Sequence, residues 1–172
     1  MVADIGEGQQ LFSDMKQDRK DAEYYLLHYV QELKAYEAAK KEAEEAHAPK
    51  GDNIGGKSNL PGKPTEVKAL ASITFDENYP AYLWLKAVEY VQRGLGERKN
   101  IFIDVRREAE KAGQPKGRGR RGWVVYTQMH YIKAIQERFL CEGVYVSEVT
   151  VKRWWQEIIS RVIEIYLRLT KK

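Results

Sequence analysis

Between Asp14 and His47 apolar side chains recur at spacings of three and four, and this stretch constrains the fold more than any other. Met15, Ala22, Tyr25, Leu26, Tyr29, Leu33, Tyr36 and Ala43 form one stripe when the chain is wound at about 3.6 residues per turn. A strand, with its period of two, would scatter them over both faces. The spacing therefore predicts a long helix over 14–47, supported by an i,i+4 pair between Glu37 and Lys41. The stripe is narrow and rich in tyrosine, and it fades into Ala, Lys and Glu. It fits two uses: packing on the rest of its own domain, or a coiled segment that joins two copies as a homodimer.

The helical period returns along the rest of the chain. It predicts a short helix from Thr65 to Ile73 and an apolar one from Ala81 to Val91, carrying Tyr82, Leu83, Leu85, Val88 and Val91. "GLG" at 94–96 interrupts the pattern, which resumes from Glu97 to Ala112 with Ile101, Phe102 and Val105 on one side. Helices over 124–142, burying Val125, Ile132, Ile135 and Phe139, and over 148–169 complete the set. No stretch alternates convincingly, so the fold class is all-α. Apolar content of 43% with 11% aromatics is enough for a core, and 31% charged residues suit helices better than a β-sandwich.

Three segments follow from this pattern. Residues 1–48 are an amphipathic helix for assembly or partner contact, expected to be separable in function. Residues 49–78 are a Gly/Pro-rich linker with a short helix. Residues 79–172 are a helical domain whose last pair, at about 124–169, forms a helix-turn-helix.

Several functions are excluded. The single cysteine, Cys141, rules out an internal disulfide and a cysteine-rich zinc site, and it suits a reducing cytoplasm. His28, His47 and His130 are scattered, so no metal is expected. The opening "MVADIGEGQQ" is no secretory signal, and no apolar run approaches the roughly 20 residues of a membrane span. "GDNIGGKS" at 51–58 satisfies the letters of a phosphate loop. No strand feeds it, however, and Pro61 follows at once, so it reads as a linker. Asp104, Glu108 and Glu110 lie among Arg106, Arg107 and Lys111, which reads as a solvated face. No enzyme chemistry and no cofactor are expected.

The charge is divided unevenly. Residues 1–85 carry 10 Lys/Arg against 15 Asp/Glu, net −5, and residues 86–172 carry 19 against 10, net +9. An acidic partner for the second half follows, most simply nucleic acid. The contact point is a helical corner. Gly143 stops one helix, and Ser147 caps the next through the Thr150 N–H, with Glu148 in the favourable first turn. Val151, Trp154 and Ile158 are expected inward, with Trp155 as the other candidate. That leaves Ser147, Glu148, Val149, Lys152, Arg153 and Gln156 for a groove. A plain helical hairpin with solvated charges would show the same spacing. Lys116, Arg118, Arg120 and Arg121, on the Gly-rich loop 113–122, are expected to meet phosphates.

"VSEVTVKRWW" resembles the recognition helix of σ-factor region 4. More of the chain is similar to phage late-gene regulators of the ArpU/RinA type, through Asn53-Ile54-Gly55-Gly56-Lys57-Ser58, Pro64-Thr65, Gly122-Trp123 and the Ser147, Thr150, Arg153, Trp154 set. The layout covers nearly the whole chain, although each motif is short. The turn from Gly143 to Ser147 is longer than the usual corner, and the basic loop is an insertion. The resemblance implies a sequence-specific transcriptional regulator of phage or prophage genes, with RNA polymerase as a further partner. Two other readings compete: the small subunit of a terminase, which usually places its DNA-binding part first, and a helical interaction protein without nucleic acid.

Overall fold

The computed structural model describes residues 5–46, 64–113 and 122–171, with side chains from 13 and from 69 in the first two stretches. It is all-α. The described residues form six helices and no strand: α1 Ile5–Ala46, α2 Pro64–Asn78, α3 Tyr82–Gly94, α4 Glu97–Lys111, α5 Gly122–Phe139 and α6 Glu148–Thr170. The α1 helix starts nine residues before the expected Asp14. Of the linker segment expected at 49–78, residues 49–63 lie outside the described residues, and Pro64 opens α2.

The chain divides into two compact units, and the division differs from the expected one at 48 and 78. One unit comprises residues 1–29 and 83–172, the other residues 30–82. The first half of α1 therefore belongs with α3 to α6.

In that larger unit Ala22 and Leu26 of α1 are fully buried in one core with Trp84, Val88, Phe102, Ile135, Val151 and Trp155. Tyr25 stacks on Trp84 at 5.9 Å, and Tyr166 of α6 stacks on the same indole at 3.6 Å. This half of the stripe packs on its own unit, one of its two expected uses.

The α4 helix departs from its reading as a solvated face, because Arg106 and Arg107 are only 4% and 7% exposed. A buried guanidinium persists when its donors are satisfied. Arg107 donates from Nε to the Leu26 carbonyl oxygen at 2.8 Å, and its other nitrogens reach Asp104 at 3.1 Å and Gln92 at 3.3 Å. Arg106 donates to Glu110 at 2.9 Å while its buried Nε meets no acceptor among the described residues; its guanidinium lies instead 4.5 Å from the Trp123 ring centroid and 5.2 Å from that of Trp155. Two arginines thus serve as packing elements between helices.

The register of α5 also differs from expectation. The helix begins at Gly122, and Val124, Thr127, Tyr131 and Ile135 form its buried face. Val125 is exposed, and Ile132 and Phe139 are half-buried.

The smaller unit holds the second half of α1 with α2. Tyr36 packs against Phe75, Tyr79 and Tyr82. Its hydroxyl donates to Asp76, which Lys40 meets at 2.8 and 3.0 Å. Burial, and then the bond to this carboxylate, push the Tyr36 hydroxyl up to about 12. Lys41 pairs at 3.8 Å with Glu45 rather than with Glu37.

Candidate nucleic-acid interface

The corner between α5 and α6 is built by backbone conformation and one clamp. Leu140 and Gly143 both take positive φ, 49° and 74°, which turns the chain out of α5. Only glycine adopts such a φ freely, and its presence at 143 supplies the second bend. Gln128 of α5 then donates from Nε2 to the Val146 carbonyl oxygen at 2.6 Å, fixing the end of the corner while the Val146 side chain is buried.

Ser147 caps α6 as expected. Its backbone is extended, and Oγ accepts from the Thr150 N–H at 3.1 Å while lying 2.9 Å from the Thr150 hydroxyl. The cap satisfies one of the orphan donors of the first turn and places the start of α6 at a defined point.

The inward face of α6 consists of Val151, Trp155, Ile158, Ile159 and Val162. The expected use of Trp154 as the inward tryptophan is corrected: Trp155 is 1% exposed, and Trp154 is half-buried. Trp155 donates from Nε1 to Glu23 of α1 at 2.8 Å, and its ring faces Arg106 and Trp123. Trp154 lies edge-on to Phe102 and Tyr131, each at 5.6 Å between centroids, and carries the Lys99 ammonium 3.8 Å above its ring.

Of the residues read as groove-facing, Val149, Lys152, Arg153 and Gln156 are exposed, Val149 at 74%; Ser147 and Glu148 are half-buried. Among the described residues Lys152 and Gln156 have no ion pair or side-chain hydrogen bond. Arg153 lies 3.8 Å from Glu157, with both side chains more than half exposed. Such a surface pair contributes little and leaves the guanidinium able to exchange partners. The structure therefore brings these four side chains together on two turns of one seated helix. Lys116, Arg118, Arg120 and Arg121 lie outside the described residues.

Sequence reasoning missed Arg98 and Lys99 at the start of α4, which stand beside this corner. Their helix was recognised, but nothing local in "GERKN" signals proximity to a segment some fifty residues away. Burial pushes the Lys99 amine down to about 8, helped by Arg161 and Arg153 and opposed by Glu157. Asp104, Glu108 and Glu110 are exposed, and among the described residues no cluster of His, Cys, Asp or Glu could hold a metal ion. No described helix is long and apolar enough to cross a membrane.

In comparisons with known proteins, no family model, no curated protein and no solved structure matches the chain.

Proposed function

We propose that this chain is a sequence-specific double-stranded DNA-binding regulator that reads the major groove with the first two turns of α6. One observation carries the reading: Val149, Lys152, Arg153 and Gln156 project from a helix start that is capped by Ser147 and anchored beneath by Val151 and Trp155. Their chemistry suits base edges. Arginine or lysine can meet guanine O6 and N7, glutamine can pair with adenine, and an apolar side chain can contact the thymine methyl. Base readout requires a helix whose position is fixed, and the burial of Val151 and Trp155 beneath α6 supports that. The net +9 of residues 86–172 supports attraction to phosphate. Assignment to phage or prophage genes rests on the resemblance of the quoted motifs to the ArpU/RinA type. The reading is one of binding, without catalysis or cofactor.

The test is selection of preferred sites from a random duplex library, followed by binding to the selected site and to random duplex across a salt series. Arg153→Ala or Gln156→Ala should cost about 1–3 kcal/mol at the selected site and leave random binding nearly unchanged. Neutralising Arg118, Arg120 and Arg121 should weaken both duplexes alike and flatten the salt dependence by about 0.9 per lost contact. Enrichment of no sequence would defeat the reading. A chain that binds no duplex even at low salt would favour a helical interaction protein.

A further inference from the structure

A cleft of about 430 Å³ opens between the starts of α4 and α6 and the middle of α5. That volume falls within the range of small-molecule sites. Its lining combines two chemistries. Ile135, Val146 and the rings of Tyr131 and Trp154 are apolar or aromatic. Arg98 and Lys99 supply cations, the Lys99 ammonium 3.8 Å over the Trp154 ring and the Arg98 guanidinium 4.9 Å over that of Phe139, and Ser147 and Thr150 at the start of α6 supply hydroxyls. No carboxylate is among the described residues that line it. Glu97, which opens α4, is bonded instead to Arg138 at 2.7 Å. Two helices begin at the cleft, and helix starts carry partial positive charge.

We infer that this cleft is a binding site for a small organic anion bearing a flat apolar group, such as an aryl phosphate or aryl carboxylate. The acid would sit against Arg98, Lys99 and the start of α6, and the ring against Tyr131, Trp154 and the aliphatic wall. A ligand that was only charged would leave the aromatic wall uncovered, and one that was only apolar would desolvate two cations without compensation. The state of Lys99 fits this role. Its ammonium rests over the Trp154 ring, where burial disfavours its charge; Glu157 opposes that effect, and Arg161 and Arg153 add to it. A bound anion would add a second counter-charge. The cleft borders the groove-reading part of α6 through Ser147, but its ligand is read without DNA, so the inference does not rest on the proposed function.

The experiment titrates the folded full chain with phenyl phosphate, inorganic phosphate and phenol separately, following the Trp154 indole N–H by NMR, assigned with Trp154→Phe. Phenyl phosphate should shift that signal saturably and bind at least about ten-fold more tightly than either fragment. Lys99→Gln should weaken it by about ten-fold or more, the loss of one charge-assisted contact. Lys133→Gln, an exposed lysine outside the cleft, should leave binding unchanged. Absence of a saturable shift at millimolar phenyl phosphate would overturn the inference. So would equal affinity for inorganic phosphate, or binding that Lys99→Gln leaves intact.

Discussion

Replacing Trp155 with alanine tests the seating of α6 most directly. The side chain is 1% exposed, and truncating a buried tryptophan costs about 3–5 kcal/mol through lost packing and the cavity left behind. The substitution also removes the donor that Glu23 accepts at 2.8 Å. A hydrogen bond to a charged group is worth about 1.5–3 kcal/mol. The Glu23 side chain is 40% exposed, so water recovers part of that loss and the lower end applies. Arg106 would lose one of its two ring partners, which adds to the cost. The total comes to about 5 kcal/mol, comparable with the whole stability of a marginal domain. Trp155→Ala should therefore be largely unfolded, and Trp155→Phe should lose about half as much. Trp154→Ala, at a half-buried site with edge contacts to Phe102 and Tyr131, should cost about 2 kcal/mol. Guanidinium denaturation followed by far-UV circular dichroism measures all three. A Trp154→Ala loss equal to or larger than that of Trp155→Ala would refute the seating. A double-mutant cycle between Trp155→Phe and Glu23→Ala should give a coupling of about 1 kcal/mol or more, and additivity would remove the α1–α6 hydrogen bond from the account.

Three further outcomes are expected. Ser147→Ala should cost about 1 kcal/mol and speed amide exchange in the first turn of α6, whereas Ser147→Asp should preserve both; unchanged exchange in the alanine variant would disprove the cap. A fragment of residues 79–172 lacks Ala22, Leu26 and the carbonyl that Arg107 needs, so it should melt without a cooperative transition, and a sharp two-state melt would show that α1 is dispensable. Lys99 has a folded value lowered to about 8 against an ordinary 10.5, so above pH 8 the unfolded chain binds more protons. Its contribution to stability should rise between about pH 8 and 10.5 and be flat below. Lys99→Met should abolish that rise, as pH-dependent denaturation would show.

How much of this was legible in the sequence differs from residue to residue. The cap at Ser147 was legible because it is local: a hydroxyl, three residues and one N–H decide it. The burial of Arg106 and Arg107 was not, because the partners that make it tolerable come from Leu26 and Gln92 and from two tryptophans distant in sequence. The start of α1 was missed because its first turns carry no apolar stripe, and the pairing of its first half with α3 to α6 because spacing gives a face but not its destination.

The two tryptophans show where periodicity stops and what depends on it. Relative to Val151, positions 154 and 155 are three and four residues on, so either can face inward at about 100° per residue. Glu23 and Arg106, from two other helices, decide in favour of Trp155. That choice turns the helix. Had Trp154 faced inward, Gln156 and Val149 would centre the outward arc, with Lys152 well inside it. With Trp155, Ile158, Ile159 and Val162 inward, the arc moves by about 50°. Val149 and Arg153, one turn apart, then lie near its middle, and Lys152 moves to the flank beside Ile159. A groove reader needs its specific contacts near the centre of the face that enters. Arg153 rather than Lys152 is therefore the residue whose loss should relax discrimination most, and the reverse order would place the inward tryptophan at 154.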